Sequence, residues 1–213
     1  MPISSDRKIP RLLSALGLAG FIAIQSHGAE SQQALANQTD LETLGRALFF
    51  DSNLSHNRRL SCGTCHNPAQ AFTDLRDNGV AGAASLGDDG HSLGDRNAPT
   101  LCYALMSPIF HKNTQGHYVG GQFHDGRAST LSEQAIIPFT DRKEMGLGGL
   151  AVLVSRVKEN PNYTALLNSI FGDVVFDNPE RTTEAIAASI SAFERTKIFA
   201  AFDSKYDLSL IHI

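Results

Sequence analysis

The chain has 213 residues, which is enough for one domain or two small ones. Its formal charge of −4 argues against nucleic acid and against anionic membranes as partners. Hydrophobic residues make up 42% of the chain, and after the N-terminal segment no uninterrupted apolar run reaches the roughly 18 residues of a membrane span.

The N-terminal segment, residues 1–29, is predicted to be a secretory signal peptide. Three basic residues precede the short apolar run 12–24, and small residues follow it up to Ala29. An uncleaved membrane anchor is the alternative. Cleavage removes three basic residues and one acidic residue, which takes the formal charge of residues 30–213 to −6. Export predicts a periplasmic protein in an oxidising compartment, without membrane contact after cleavage.

The first predicted helix begins at residue 39. Thr39 and Glu42 have the spacing of a capping box, and Leu41, Leu44 and Leu48 fall on one face. Polar and glycine-rich segments then predict loops over residues 53–60, 78–94 and 107–127. Loops of this length are uncommon unless they are functional, and a large cofactor would supply the core that they lack.

The second half of the chain is predicted to be helical over residues 130–139, 148–160, 162–172 and 178–196. Thr130 is placed to cap the first of these helices, with Glu133 at its third position. Asn178 is placed to cap the last, with Pro179 as its first residue. No clear strand pattern occurs. The predicted fold class is therefore mostly α, with long ordered loops.

The segment RLSCGTCHNPAQAFTD contains the spacing C-x-x-C-H at Cys62, Cys65 and His66. On a helix these positions share one face, so two thioethers can hold a haem while the imidazole binds its iron. A structural zinc site requires a second cysteine pair, and a thioredoxin-like dithiol requires a βαβ setting. Neither occurs, which leaves a plain disulfide as the alternative. The third cysteine, Cys102, is predicted to be a small buried hydrophobic residue.

Further motifs surround this segment in a defined order. LGRALFFDSNLS precedes it, and RNAPTL, GQFHDGRASTLSEQA, KEMG and AIAASISAFERT follow. Over roughly residues 40–200 the sequence resembles the bacterial di-haem cytochrome c peroxidase family, which includes enzymes that form tryptophylquinone cofactors. The resemblance implies a cytochrome-c-like domain with covalent haem c. It also implies reduction of hydrogen peroxide by electrons from a small donor protein, a cytochrome c or a cupredoxin, and it allows a homodimer.

The resemblance also implies functions for individual residues. His66 is the expected proximal iron ligand, Gln122 and Glu133 the catalytic residues, Arg127 a haem contact, His91 a displaceable distal iron ligand and Asn97 a calcium ligand. Family members carry the glutamate at the position of Ser132, so Glu133 is displaced by about 100° around a helix. The plainer alternatives are that Glu133 caps the helix and that Arg127 pairs with Asp125. His124 stands where the family usually has tryptophan.

The chain contains a single CxxCH, whereas the family has two. The expected molecule is therefore the N-terminal haem domain, residues 30–213, of a truncated di-haem enzyme. Two other functions stay open: an oxidase that acts on a protein tryptophan, and a one-haem electron carrier. A permanent sixth iron ligand would indicate the carrier, and a displaceable one the peroxidase.

Overall fold

Helices are the main regular secondary structure of the chain. The computed structural model describes residues 33–210. The helices are α1 (33–49), α2 (Cys62–Cys65), α3 (Leu131–Thr140), α4 (Leu150–Lys158), α5 (Pro161–Phe171), α6 (Pro179–Glu194) and α7 (Lys205–Leu210). Within residues 33–210 every helix is too short or too polar to cross a bilayer. The predicted mostly α class is confirmed, and the predicted signal peptide lies outside the described residues.

Local capping explains where the later helices begin. The Thr130 hydroxyl accepts a hydrogen bond from the Glu133 N–H at 3.1 Å and starts α3. The Asn178 side chain accepts one from the Arg181 N–H at 2.8 Å, and Pro179 is the first residue of α6. These side chains satisfy N–H groups that have no partner within the helix. Both predicted helix starts are confirmed.

The predicted start of α1 is wrong. Residues 33–38 are already helical, so Thr39 lies inside the helix rather than at its N-cap. The preceding Ala34, Leu35 and Ala36 have high helix propensity, which extends the helix beyond the capping pattern. From Thr39 onward the chain forms one compact unit.

Helices α1 and α6 cross at very close range. A Cβ atom on Gly45 would lie 1.8 Å from the carbonyl oxygen of Ser189, so only glycine permits this crossing. Around it the buried apolar side chains are Leu44, Leu48, Phe49, Ile186, Ile190 and Phe193. Each such side chain stabilises the fold by about 1.5–3 kcal/mol relative to full exposure. This core supports the segment that carries the CxxCH motif.

A buried carboxylate, Asp88, holds two of the predicted loops together. It accepts hydrogen bonds from the Ser55 hydroxyl at 2.7 Å and from the backbone N–H groups of Asn57, Arg59 and Leu60. Burial opposes ionisation of Asp88, but these hydrogen bonds outweigh it and lower the pKa of the carboxyl. The loop 78–94 is thereby fixed against the residues directly before α2.

The loop 107–127 contains a small hairpin that the sequence pattern did not predict. Strand β1 (His111–Lys112) pairs antiparallel with β2 (Tyr118–Val119), and the rings of Phe110 and Tyr118 stack at 5.6 Å. Gly116 turns the chain with a φ of +85°. Strands of two residues are too short for an alternating hydrophobic pattern to show.

Candidate functional site

Helix α2 brings the CxxCH side chains to one cavity. Ser61 begins this single turn, and its N–H donates to the Thr64 hydroxyl at 3.0 Å. The His66 N–H donates to the Cys62 carbonyl at 2.8 Å, which places the histidine directly after the helix. Cys62, Cys65 and His66 all line a cavity of about 520 Å³. The structure therefore places the two thiols and the imidazole on one wall, the α2 wall (residues 61–66).

His66 is prepared to act as a neutral ligand. Its Nδ1 lies 3.0 Å from the carbonyl oxygen of Phe72. Because a carbonyl only accepts hydrogen bonds, Nδ1 carries the proton and the lone pair is on Nε2. Burial lowers the pKa of His66, an effect partly offset by the carbonyls of Phe72 and Pro99. A neutral imidazole with Nδ1 held by a carbonyl is the usual arrangement of a metal-binding histidine.

The cysteines of the motif are free thiols that are not joined in a disulfide. Burial raises the pKa of Cys65 to about 11 and also raises that of Cys62. Both sulfurs are therefore protonated at neutral pH, which is unfavourable for a thiolate metal site. Arg76 Nη2 lies 3.2 Å from the Cys65 sulfur and is itself held by the buried Asp74 at 2.7 Å.

A second part of the cavity lining is formed by a loop, here named the loop wall (residues 121–127). Gln122 is buried, and its Nε2 donates to the carbonyl of Ala104 at 3.3 Å. Its backbone N–H donates to the carbonyl of Ala128 at 2.7 Å. Gly121 has a φ of +79°, and a Cβ there would lie 2.9 Å from Gly126. The loop is thus closed tightly enough to hold the Gln122 amide in the cavity.

Arg127 also lines the cavity, and its guanidinium lies 3.6 Å from the centre of the Phe123 ring. It forms an ion pair with Asp125 at 3.0 Å, as the plainer alternative predicted. Hydrogen bonds from Arg96 and Arg127 lower the pKa of Asp125 to about 2, despite some desolvation of the carboxyl. Nearly half of the Arg127 side chain remains exposed, so the cation is available to a ligand at the cavity mouth.

The structure does not bring Glu133 to the cavity. Its side chain is exposed, and its carboxylate accepts a hydrogen bond from the Ser129 N–H at 2.7 Å. Ser132 does not line the cavity either. Glu133 therefore occupies the capping position at the start of α3, which agrees with the plainer of its two interpretations.

His91 is also far from the expected position. Its side chain is 81% exposed and lies 3.3 Å from the carboxylate of Asp89, outside the cavity wall. In this structure it does not face His66 across the cavity.

Asn97 lines the cavity, where its Oδ1 accepts from the Ser85 hydroxyl and its Nδ2 donates to the Asp74 carbonyl, both at 3.2 Å. Calcium requires about six to eight oxygen ligands. Within residues 33–210 no group of three His, Cys, Asp or Glu side chains could hold a metal ion. The calcium site accordingly stays a prediction.

Two carboxyl groups in the cavity wall were missed by sequence reasoning. Burial raises the pKa of Glu194 to about 8 and that of Glu144 to about 7. Glu194 follows Ile186 and Ile190 at four-residue intervals, so helical periodicity alone marks it as facing the core. Glu144 lies in the motif KEMG, where no local pattern distinguishes it from a surface glutamate.

A family model described as di-haem cytochrome c peroxidase matches residues 39–211. The chain belongs to the di-haem cytochrome c peroxidase family. The family prediction made from the ordered motifs is confirmed, as is the prediction of an oxidoreductase enzyme family.

Similarity to individual members of the di-haem cytochrome c peroxidase family supports this assignment. The methylamine utilization protein MauG of Paracoccus denitrificans is 45% identical over 83% of this chain and 46% of its own length. The cytochrome c551 peroxidase of Pseudomonas aeruginosa is 33% identical over 78% of this chain and 41% of its own. The crystal structure of the diheme peroxidase BthA from Burkholderia thailandensis is 34% identical, with a TM-score of 0.74 over 80% of this chain and 41% of that one. This chain thus spans less than half of each of these relatives.

The residues present fit the haem c of the di-haem cytochrome c peroxidase family. The cavity volume lies within the range of about 300–1,000 Å³ that is typical of cofactor sites. Protonated thiols are the form that adds to haem vinyl groups, and His66 offers Nε2 as a ligand. In addition, Oε2 of Glu194 is buried in this wall without a hydrogen-bond partner among the described residues. A polar atom left in that state indicates that a further group occupies the cavity.

Proposed function

We propose that this chain is a c-type haem domain that reduces hydrogen peroxide to water with electrons from a small redox protein. The observation that carries the proposal is that both walls contribute to one cavity. His66, with its Nε2 unprotonated, and the buried Gln122 line the same space. A cavity that holds an iron ligand together with a fixed polar side chain suits a peroxidase better than an electron carrier with a permanently closed iron.

Each wall has its own function in the proposed reaction. Haem c, when bound, supplies the iron redox chemistry. Cys62 and Cys65 attach it, and His66 holds the iron from the α2 wall. Gln122 is fixed through its Nε2, and within the described part of the chain its Oε1 accepts no hydrogen bond. That oxygen can accept a hydrogen bond from peroxide and so orient it. Arg127 adds a positive charge near the cavity mouth.

The setting of the reaction is also a proposal. The basic and apolar pattern of residues 1–29 supports export to the periplasm, where a cytochrome c or a cupredoxin would donate electrons. The acidic balance of the remaining chain is compatible with a basic donor. The family membership supports hydrogen peroxide as the substrate.

A second candidate function is the oxidation of a protein substrate at tryptophan. The observation that favours it is the 45% identity with the methylamine utilization protein MauG, which exceeds the 33% identity with the Pseudomonas aeruginosa cytochrome c551 peroxidase. Both functions need a reactive distal side, and they differ in where the electrons come from. Rapid consumption of peroxide with a small reduced donor protein supports the first function, and peroxide-dependent modification of a protein tryptophan supports the second.

The decisive experiment is an absorption spectrum of the haem-loaded chain, oxidised and reduced, before and after addition of peroxide. We expect peroxide to change the spectrum of the oxidised form. A low-spin six-coordinate spectrum that peroxide leaves unchanged would contradict the peroxidase proposal and support the electron carrier. The variant Gln122→Leu should slow the reaction about tenfold, which corresponds to one lost hydrogen bond of about 1.4 kcal/mol. Gln115→Leu, on the exposed hairpin, is the matched control.

A further inference from the structure

A peroxide-binding cavity needs a group that accepts a proton. Hydrogen peroxide and hydrogen cyanide are weak acids, and each binds iron as an anion only after a base has removed its proton. The resemblance to the family implies a glutamate for this purpose at the position of Ser132, and the neighbouring Glu133 carboxylate is bound at the start of α3. The need for a proton acceptor rests on the proposed function. Another carboxyl group in the lining of the same cavity is placed to meet it.

Glu144 lies on the segment between α3 and α4 and lines the same cavity as His66 and Gln122. Its side chain is partly buried, and no hydrogen bond or ion pair from any residue in 33–210 holds its carboxylate. Only its backbone is engaged, because its carbonyl accepts a hydrogen bond from the Asp88 N–H at 2.9 Å. The carboxylate is therefore positioned by its backbone and remains available to a ligand.

Glu144 interacts electrostatically with residues of both walls. Arg127 of the loop wall attracts its carboxylate, while Asp141 after α3 and Asp95 repel it. Its charge also acts on the thiols of Cys62 and Cys65 in α2. The remaining titratable or charged side chains of the cavity are His66, Arg96, His124, Asp125, Lys143 and Glu194.

Two glutamates line the cavity, and the extent of their burial distinguishes them. Glu194 is 4% exposed, lies in the last turn of α6 and acts on Cys62 alone of the two thiols. Its carboxyl group is almost fully removed from solvent. Glu144 is only partly buried, and burial raises its pKa to about 7, with Asp141 adding to the effect and Arg127 opposing it. A group that gains and loses a proton near neutral pH is suited to acid–base work.

We propose that Glu144 accepts the proton of a weak-acid ligand that enters this cavity. The bond between the ligand and its hydrogen breaks, the proton passes to the Glu144 carboxylate, and the electron pair stays on the ligand, which becomes an anion. No electron is transferred in this step, so it requires no further reactant.

The test uses the haem-loaded chain and measures cyanide binding by stopped-flow absorption between pH 5 and pH 9. We expect Glu144→Gln to slow cyanide association about 100-fold and to remove its pH dependence, because the proton acceptor is lost. Glu184→Gln, an exposed change of the same type on α6, should leave the rate unaltered. If Glu144→Gln shows a disturbed haem spectrum, Glu144→Asp retains the carboxylate and should preserve most of the rate.

Several results would overturn the proposal. One is a Glu144→Gln variant with an intact spectrum and wild-type cyanide kinetics. A second is a loss of rate in Glu133→Gln or Glu194→Gln instead, and a third is a slow Glu144→Asp variant. The proposed peroxidase function fails separately, if peroxide leaves the wild-type spectrum unchanged while cyanide binding still depends on Glu144. If peroxide reacts equally with the wild type and Glu144→Gln, the peroxidase function stands and the assignment of Glu144 does not.

Discussion

The two walls of the cavity are built in different ways. On the α2 wall the hydrogen bonds that shape the motif are local: Ser61 with Thr64, His66 with the Cys62 carbonyl, and His66 with the Phe72 carbonyl. On the loop wall the contacts join distant segments, because Gln122 bonds to Ala104 and Asp125 to Arg96. A short motif can therefore encode the attachment of the cofactor, whereas the chemistry on its other side depends on how the loops pack.

The largest effect is expected from removing the two cysteines of the α2 wall. Replacing both Cys62 and Cys65 by alanine should abolish covalent attachment of haem, because no other thiol lies in the motif. Haem retention by the denatured chain on a gel measures this directly. Cys102→Ala is the matched control, since its sulfur does not line the cavity, and it should retain haem. Covalent haem in the double variant would refute the attachment site.

The next effect concerns the link between the loops and α2. Asp88→Ala leaves the Ser55 hydroxyl and several backbone N–H groups without their buried acceptor. We expect the free energy of unfolding of the haem-loaded chain to fall by about 3 kcal/mol in urea titrations. Asp173→Ala, an exposed aspartate, should change it by less than about 0.5 kcal/mol. Equal losses in the two variants would show that Asp88 is not the link.

A smaller effect depends on pH. The pKa of Glu194 is raised from 4.5 to about 8 by burial, so the folded state holds its proton where the unfolded state has lost it. The free energy of unfolding should therefore fall as the pH rises through this window, and Glu194→Gln should remove that part of the slope. We expect a difference of about 2 kcal/mol between pH 5 and pH 8 in urea titrations. Parallel pH profiles of wild type and variant would contradict the assignment.

The smallest effect is expected from replacing Glu133, which lies outside the cavity. Glu133→Gln removes a charged acceptor for the Ser129 N–H at the start of α3 and should cost about 0.5–1 kcal/mol of unfolding free energy. Cyanide association should stay at the wild-type rate, because the side chain does not line the cavity. A large kinetic effect would restore Glu133 as a catalytic residue and make the two walls chemically closer than the structure indicates.

Some of the fold was predictable because its causes are local. Thr130 and Asn178 start their helices through contacts with residues three positions away. The start of α1 was not predictable in this way, because the helix propensity of residues 33–38 overrides the capping pattern at Thr39. The site shows the same division. The buried position of Glu194 follows from helical spacing, while the position of His91 outside the cavity depends on the path of a long loop.

The sequence by itself determined the α2 wall, the mostly α class and the family, because each of them depends on residues close together or in a recognisable order. Only the tertiary structure decided which carboxyl groups face the cavity. The capping pattern at Thr130 accounts for Glu133, but no local pattern marks Glu144 as a residue that faces the cavity. Their environments differ, because the Glu133 carboxylate is bound by a backbone N–H in solvent and the Glu144 carboxylate is desolvated in the cavity lining. Burial and long-range charge, which are properties of the folded chain, determine where proton chemistry can occur.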